Sequence, residues 1–495
     1  MNKRASGILM HISSLPSPYG IGSFGQAAYD FIDFLYAGKQ TYWQILPIGP
    51  IGFGESPYQS LSTFGGNPYF IDLDLLAQED LIDGGDLKDL DWGRDDEKVD
   101  YSKVFINKFP LLKKAFYKVR AIYSDKIASF RKKNSWWIED FALYMALKFN
   151  NQQKPWKLWE SDLKHRDKST LVFYKNLLRD EVDFHIFLQY LFFSQWEDLK
   201  SYANNKGIKI IGDLPIYVSQ DSVDTWVNPE LFLFDQCKNP IVVAGCPPDY
   251  FSPQGQLWGN PIYDWEEHER QNFSWWIRRI EKNLDLFDVL RLDHFRGLEA
   301  YWQIPYGDKT AVDGKWVKGP GYKLIGSIEK SLGKVNIIAE DLGYLSPGAI
   351  ELKERSGYPG MNILQFAFHP DQESSYLPHN IKANSIVYTG THDNNTIMGW
   401  FEEADPREVN YAVEYLKLNK EEGYNWGMIR GAWSSVANTA IGPIQDFLGL
   451  GNNGRMNTPS TTYDNWKWRI KKGDLDGDLA KKIGDLTILY SRNNS

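Results

Sequence analysis

Short hydrophobic runs with the character of β-strands alternate along this chain with longer segments whose apolar residues recur at helical spacing. Such alternation predicts βα units and a parallel sheet. Eight runs are predicted to be strands, and they cover approximately residues 7–12, 43–47, 208–212, 289–293, 336–339, 362–366, 386–388 and 441–446. Eight parallel strands are the number that closes a (β/α)8 barrel, so the sequence predicts an α/β fold of the TIM-barrel class.

The predicted strands are unevenly spaced, and two of the gaps are too long for a single crossover helix. Because loops on the catalytic rim of a barrel often grow into subdomains, we expect one catalytic domain over 1–495 with large insertions on that rim. The inserts are expected at about 66–200, mostly helical, at about 222–285, rich in loops and including a long Gly- and Pro-rich loop over 240–265, and at about 305–335. The chain that remains after the eighth strand is too short for a β-sandwich of about 100 residues, so no C-terminal sandwich domain is expected.

Four of the hydrophobic segments end in a carboxylate, and these acids are Asp213, Asp293, Glu340 and Asp393. The carboxyl ends of parallel strands meet at one rim of a barrel, so the four acids are predicted to converge there. The period-2 alternation of a strand places Arg291 and Asp293 on the same face, and a carboxylate beside a guanidinium is expected to stay ionised. An ionised, oriented Asp is a candidate nucleophile, and a buried ion pair that braces the strand is the alternative.

Composition narrows the range of partners. The 19 tryptophans exceed what core packing needs, and indole rings suit the flat faces of sugars. The formal net charge of −9, with no basic block, argues against nucleic acid and anionic membranes as partners. Two cysteines, Cys237 and Cys246, predict neither a disulfide framework nor a zinc site. No signal-peptide pattern or membrane-length apolar run is present, so we expect a cytoplasmic location, or a plastid one after import.

A glycine motif at residues 20–25 matches G-x-G-x-x-G and raises the alternative of a nicotinamide or flavin oxidoreductase. Pro16 and Pro18 interrupt the approach to the first glycine, where a dinucleotide site needs a strand that runs straight into the turn. No acidic residue that could hold a ribose follows at about 20 residues. The glycines are therefore predicted to shape the first strand-to-helix loop.

Several short motifs occurring together are more specific than any strand pattern. The central three are Arg291-Leu292-Asp293-His294, Ala339-Glu340-Asp341 and Thr391-His392-Asp393. They are accompanied by the segments 14–22, 56–59, 212–218, 247–251, 256–260, 291–297 and 457–459. Over nearly the whole chain this set resembles the amylomaltases, or 4-α-glucanotransferases, of the α-amylase clan of retaining glycoside enzymes.

The resemblance implies transfer of α-1,4-glucan segments to the 4-hydroxyl of an acceptor through a covalent β-glucosyl-enzyme. It implies that Asp293 is the nucleophile, that Glu340 is the acid/base, and that Asp393 holds the 2- and 3-hydroxyls of the reacting sugar. The substrate-binding residues that it implies are Tyr58, Asp213, Trp258, Arg291, His294, His392 and Asn457. The implied partners are maltooligosaccharides, amylose, starch or glycogen chains, with glucose as an acceptor, and the chemistry requires no metal or organic cofactor.

Two positions depart from the family pattern. Ser460 stands where the family has Gly after Asn-Thr-Pro, so a positive φ at this position would strain the loop. Phe53 stands where relatives often have Tyr.

Two other functions stay open. An α-glucan hydrolase would share every catalytic residue, whereas a catalytically silent glucan-binding protein would need no acid/base pair. The missing sandwich and the large insert before the third strand favour the transferase by analogy with the family.

Overall fold

Strands and helices alternate along the chain in the computed structural model, which describes residues 3–52, 54–119, 124–248, 252–343 and 345–493. The strands are β1 (Ala5–Leu9), β2 (Tyr42–Gln44), β3 (Lys209–Leu214), β4 (Val242–Cys246), β5 (Gln256–Pro261), β6 (Val289–Leu292), β7 (Ala300–Pro305), β8 (Lys315–Lys318), β9 (Ile337–Ala339), β10 (Gly360–Ile363), β11 (Ser385–Tyr388) and β12 (Thr439–Pro443). The first helices are α1 (Gln26–Ala37), α2 (Leu73–Gln78), α3 (Tyr101–Val119), α4 (Ser124–Lys133), α5 (Ile138–Asn150), α6 (Ser161–Lys164), α7 (Lys168–Leu177), α8 (Arg179–Asn205) and α9 (Val223–Val227). The later helices are α10 (Trp265–Arg270), α11 (Ser274–Leu286), α12 (Tyr322–Leu332), α13 (Pro347–Ser356), α14 (Ile397–Glu403), α15 (Pro406–Leu416), α16 (Tyr424–Ser434), α17 (Ile444–Leu448) and α18 (Gly477–Leu489).

Eight of the strands form one parallel sheet in the order β10-β11-β12-β1-β2-β3-β6-β9. The two outer strands of this order meet where the backbone N–H of Ala339 donates to the carbonyl of Pro359 at 2.9 Å, which closes the sheet into a barrel. The strand β6 is buried at every position, as expected where helices cover the outside of a barrel and side chains fill its interior. The predicted α/β barrel is confirmed, and each of the eight predicted strands overlaps an observed one.

The predicted strands extend beyond the observed carboxyl ends in several places. Ile12–Ser14 and Leu364–Phe366 form 3-10 turns, and Ile444 begins α17. Ile12, Leu364 and Ile444 are buried, so hydrophobicity continues after the strand hydrogen bonds have ended. Buried side chains therefore continue from the barrel wall into the rim, which helps to fix the side chains that follow the strands.

The long stretch between β2 and β3 is helical, with α2 to α8 and no strand among its described residues. In α8, residues 184–189 are all buried, so the middle of this helix is enclosed on every side. The same buried hydrophobic cluster includes residues of the barrel and of these helices. The helical content predicted for about 66–200 is therefore present, while the limits of this insert stay a prediction.

A second sheet is antiparallel and has the strand order β5-β4-β7-β8. The long loop predicted over 240–265 is wrong, because β4 and β5 both lie there. Both strands contain glycine, which the sequence pattern associates with loops. β5 is an edge strand, where Gly259 and Pro261 are tolerated, whereas β4 is an inner strand whose Gly245 lies against the backbone of β5. The predicted inserts at 222–285 and 305–335 contribute strands to this one sheet, and their limits also stay a prediction.

The part of the chain that follows β12 contains α17 and α18, and its described residues contain no strand. Across the described ranges, none of the helices has both the length and the apolar character that crossing a membrane would require.

A buried arginine near the end of the chain joins segments at the amino-terminal face of the barrel. The guanidinium of Arg492 donates to the carbonyls of Trp433, Ala5 and Ser435 at 2.7, 3.0 and 3.0 Å. Ala5 begins β1, and the other two carbonyls precede β12, so one side chain connects adjacent strands. Burial lowers the pKa of Arg492 to about 9, with the charge of Arg4 as a second cause.

We expect Arg492→Met to lower the free energy of unfolding by about 3 kcal/mol, because it removes a charged donor from several buried carbonyls. Arg4→Met is the matched control. Arg4 is half-buried and donates to the Ser435 and Trp433 carbonyls at 2.9 and 3.2 Å, so its loss should cost less. Urea denaturation followed by circular dichroism measures both. An Arg492→Met protein as stable as the parent would contradict the assigned role.

Candidate active site

A buried guanidinium lies at the centre of the acidic residues that follow the barrel strands. Asp213 in β3 and Arg291 in β6 are direct partners in the register of these adjacent strands. Nη1 of Arg291 donates to the two carboxylate oxygens of Asp213 at 2.7 and 2.6 Å. The Asp213 and Arg291 side chains are 0% and 4% exposed. Because separating such a pair would leave an unpaired charge in the protein interior, the two side chains hold each other in place.

Two further carboxylates contact the same guanidinium. Oδ1 of Asp293 lies 3.1 Å from Nη1 of Arg291, and Oε2 of Glu340 lies 3.4 Å from Nη2. Asp293 directly follows β6 and Glu340 directly follows β9, which is the neighbouring strand. The backbone N–H of His294 donates to Oε2 of Glu340 at 2.6 Å, and that of Phe295 donates to the Glu340 carbonyl at 3.0 Å. The structure thus brings the two carboxyl groups together at one point of the rim.

The pKa of Asp293 is raised well above its usual value. Burial is the largest cause, and the negative charges of Glu340, Asp213 and Asp393 raise it further, while Arg291 opposes them. Arg291 alone would lower this pKa, as the sequence predicts, but burial and the three negative charges outweigh it, so that prediction is wrong. Asp293 therefore holds its proton at a pH at which an isolated carboxyl group would have lost it.

Asp393, in the loop after β11, is held as a carboxylate. Nδ2 of Asn457 donates to its Oδ1 at 2.6 Å, and Nε2 of His392 lies 3.3 Å from its Oδ2. Although burial acts in the opposite direction, His392, Asn457 and more distantly Arg291 hold the pKa of Asp393 well below its usual value. The site therefore combines a carboxyl group that holds its proton, Asp293, with a separate carboxylate that stays ionised.

Aromatic rings line the rim beside Asp393. Tyr58 stacks on His392, with ring centroids 5.1 Å apart, and Trp466 packs against both rings at 5.7 and 5.9 Å. The hydroxyl of Tyr58 donates to Oδ2 of Asp213 at 2.7 Å, which fixes the orientation of the ring. Sequence analysis did not select Trp466, because no local motif marks it and only its contacts with His392 and Tyr58 reveal its place in the site.

Trp258 and His294 make a further aromatic contact. His294 has a left-handed backbone with φ of 47°, and its ring meets Trp258 edge-on with centroids 4.9 Å apart. Burial lowers the pKa of His294 to about 4, so this imidazole is neutral at neutral pH. Trp258 lies in β5 and is half-buried, and its Nε1 donates to Oε1 of Gln256 at 3.0 Å. The antiparallel sheet therefore contributes directly to the site.

The carboxylate of Asp213 is held by two neighbouring side chains, and its contact with a sugar stays a prediction. Its side chain is 0% exposed, and its oxygens accept hydrogen bonds from Arg291 and Tyr58. This position favours a role in orienting those two residues.

Ser460 has φ of 64°, so the loop does require the conformation for which serine carries a steric cost. Phe53 and residues 249–251 of the motif at 247–251 lie outside the described residues.

Comparison with known proteins gives a consistent result over the full length of the chain. A family model described as 4-alpha-glucanotransferase matches residues 10–475. A 4-alpha-glucanotransferase of Clostridium butyricum is 52% identical over 485 residues, which cover 98% of this chain and 100% of that protein, and one of Thermus thermophilus is 47% identical over 97% of each. An amylomaltase from Streptococcus agalactiae, solved in complex with acarbose, matches with a TM-score of 0.97 and 42% identity over 99% of this chain and 100% of that one. The chain therefore belongs to the 4-alpha-glucanotransferase family.

Proposed function

We propose that this protein moves α-1,4-glucan segments from a donor chain to the 4-hydroxyl of an acceptor, by a retaining mechanism with a covalent glucosyl-enzyme. The observation that carries the proposal is the placement of Asp293 and Glu340 on one buried guanidinium, at the ends of adjacent strands. A retaining glycoside enzyme needs two carboxyl groups about 5–5.5 Å apart, one as nucleophile and one as acid and base. Their shared contact with Arg291 supports assigning these two roles to Asp293 and Glu340.

In the first step, a carboxylate oxygen of Asp293 attacks the anomeric carbon of the donor sugar. The bond from that carbon to the glycosidic oxygen breaks, and Glu340 transfers its proton to the departing 4-oxygen. This step needs Asp293 as the carboxylate and the proton on Glu340, so the proton that Asp293 holds in the free site must pass to Glu340 when the donor binds. The products are an ester between Asp293 and the glucosyl unit, a free donor fragment and an ionised Glu340.

In the second step, the ionised Glu340 accepts the proton of the acceptor 4-hydroxyl. That oxygen attacks the anomeric carbon, the ester bond to Asp293 breaks, and a new α-1,4 bond forms. The site returns to its starting protonation state, because the proton lost by Glu340 in the first step is recovered in the second. No external base is required.

The surrounding side chains suit the binding of the reacting sugar. Asp393 stays ionised, so it can accept hydrogen bonds from the 2- and 3-hydroxyls, and such bonds strengthen as positive charge develops on the ring. Tyr58 and Trp258 offer aromatic surface for the apolar faces of glucose units. His392 and the neutral His294 are placed to hydrogen-bond with hydroxyl groups. Arg291 steadies the nucleophile by its contact with Asp293.

We propose maltooligosaccharides and the chains of amylose, starch or glycogen as donors, with glucose or another glucan end as acceptor. Transfer must compete with water at about 55 M, and a well-oriented acceptor reaches an effective concentration of about 10⁵ M or more. A positioned 4-hydroxyl can therefore win by about three orders of magnitude. The aromatic residues that the rim insertions bring to the cleft, Trp258 among them, are suited to position such an acceptor.

Incubation with pure maltotriose tests transfer against hydrolysis. We expect glucose and a ladder of longer maltooligosaccharides, with a nearly constant number of reducing ends, because each transfer breaks one α-1,4 bond and makes another. Size separation of the products and a reducing-end assay on the same samples measure both quantities. A reducing end gained for every bond cleaved, without any product longer than the donor, would identify a hydrolase instead.

Two variants compared on two donors separate the roles of the carboxyl pair. Glu340→Gln cannot give up a proton, so it should lose most activity on maltotriose but retain far more on glucosyl fluoride, whose leaving group needs no acid. Asp293→Ala lacks the attacking atom and should lose several orders of magnitude on both donors. Initial rates of glucose and fluoride release give the comparison. Equal losses of Glu340→Gln on the two donors would exclude Glu340 as the acid.

The negative charge of the buried Asp213 contributes to the raised pKa of Asp293, after burial and the charge of Glu340. Asp213→Asn removes that charge and leaves Arg291 free to favour the Asp293 carboxylate, so Asp293 should lose its proton at lower pH. The basic limb of the profile of kcat/KM against pH should therefore shift down by about one unit. Tyr58→Phe is the control, since it removes a hydrogen bond to Asp213 and no charge, and should leave that limb in place. An upward shift in Asp213→Asn would contradict the charge argument.

A further inference from the structure

Arg455 bridges the backbone of two rim loops behind Asp393. Its Nε donates to the carbonyl of Asn457 at 2.9 Å, and its Nη2 donates to the carbonyl of Asp393 at 3.2 Å. The same two residues are joined at their side chains, where Nδ2 of Asn457 donates to Oδ1 of Asp393 at 2.6 Å. One guanidinium therefore fixes the two main chains whose side chains make this bond.

The loop that contains Asn457 has a strained backbone. Ser460, Asp464 and Trp466 all have φ of 64°, a conformation that costs non-glycine residues energy. The base of this loop is closed by the backbone hydrogen bond from Trp466 to the carbonyl of Met456, at 2.8 Å. Arg455 is the residue immediately before this closure, so its contact with the Asp393 carbonyl connects the base of the strained loop to the loop after β11.

We propose that Arg455 is a positioning residue for glucan transfer, which acts through Asn457 by holding it against the Asp393 carboxylate. The inference rests on the proposed role of Asp393 in binding the reacting sugar. A carboxylate that accepts hydrogen bonds from sugar hydroxyls must be placed to within a fraction of an ångström, because misplacement by about 1 Å costs about 10²-fold in rate. Arg455 needs no contact with the substrate to have this effect.

The geometry explains why arginine suits this position better than lysine. A guanidinium presents its donors in a rigid planar fork, so it can reach two carbonyls from different loops at the same time. A lysine ammonium is a single flexible point of charge. The nearest carboxylate partner of Arg455 is Glu403, whose Oε2 lies 3.8 Å from Nη1 and whose side chain is 55% exposed. The ion pair is therefore long and solvated, and the carbonyl contacts carry the function of the side chain.

A double-mutant cycle tests the proposal in the full-length protein. The variants are Arg455→Met, Asn457→Ala and the two combined, with kcat/KM for maltotriose as the readout. Each single change should lower kcat/KM by about 10- to 100-fold, and the double variant should lie within about threefold of the worse single variant, because both changes release the same hydrogen bond. Losses that multiply would show that Arg455 does not act through Asn457.

The pH profile distinguishes positioning from a general loss of structure. Asp393 faces His392, Asn457 and, at longer range, Arg291, and the bond from Asn457 helps to keep its pKa low. Releasing Asn457 should raise that pKa, so the acid limb of kcat/KM should move to higher pH in Arg455→Met and in Asn457→Ala alike. An acid limb that moves in Asn457→Ala and stays in place in Arg455→Met would overturn the proposal.

Three further variants complete the design. Arg430→Met is matched to Arg455→Met in chemistry and exposure, since Arg430 pairs with Glu422 at 2.7 Å and donates to the Leu416 carbonyl at 3.0 Å, and it should keep kcat/KM within twofold of the parent. Glu403→Gln should also stay close to the parent. If Arg455→Met does not fold, Arg455→Lys replaces it in the cycle. Its loss of kcat/KM should be smaller, and the double variant with Asn457→Ala should again be no worse than the worse single variant by more than about threefold.

Failure of the inference and failure of the proposed function give different results. A parent protein that releases one reducing end per bond cleaved is not a transferase, yet the coupling between Arg455 and Asn457 can still be measured on that hydrolysis. A parent protein that transfers normally, with independent effects of the two residues, would reject only the role of Arg455.

Discussion

The buried ion pair between Asp213 and Arg291 is the interaction on which the rest of the site depends. It joins the adjacent barrel strands β3 and β6 near their carboxyl ends, at the rim of the barrel. Through its remaining donors, the same guanidinium reaches Asp293 and Glu340. Through Tyr58, the same carboxylate reaches the aromatic side of the site. A single pair thus sets the relative positions of the groups proposed to attack, to protonate and to support the sugar.

The number of charges around Arg291 has a chemical consequence. One positive side chain faces three carboxyl groups at short range, those of Asp213, Asp293 and Glu340, in a region from which water is largely excluded. Full ionisation of all three would leave excess negative charge in a low-dielectric environment, which is costly. The cost falls when Asp293 keeps its proton, which is the direction of its pKa. Departure of a glycosidic oxygen needs a proton at this site, so the imbalance of charge is part of the proposed mechanism.

Much of this arrangement could be predicted from the sequence, because the carboxylates follow hydrophobic runs that form barrel strands, and strand ends converge on one rim. The raised pKa of Asp293 could not be predicted from Arg291 alone, since burial is its largest cause and the charges of Glu340, Asp213 and Asp393 come from distant parts of the chain. The place of Trp466 could not be predicted for a similar reason. Its contacts are with distant residues, and its own loop has no hydrophobic periodicity. The glycine and proline at 240–265 hide two strands. β5 lies at a sheet edge, where such residues are tolerated, and Gly245 of the inner strand β4 lies against the backbone of β5, where a side chain would not fit.

The rim loops have little regular secondary structure, yet their side chains must hold fixed positions. Arginines with carbonyl partners hold such loops in more than one place. The guanidinium of Arg279 donates to the carbonyls of Pro215 and Ile216 at 2.5 and 2.9 Å, directly after β3, and also to the hydroxyl of Thr63 at 2.7 Å. Arg455 makes the corresponding link between the loops that carry Asp393 and Asn457. A carbonyl that lacks a strand or helix partner still needs a donor, and a guanidinium can satisfy two or three at once. The irregular rim is therefore held by hydrogen bonds as specific as those of the barrel, and loops of this kind can carry a catalytic site that tolerates little movement.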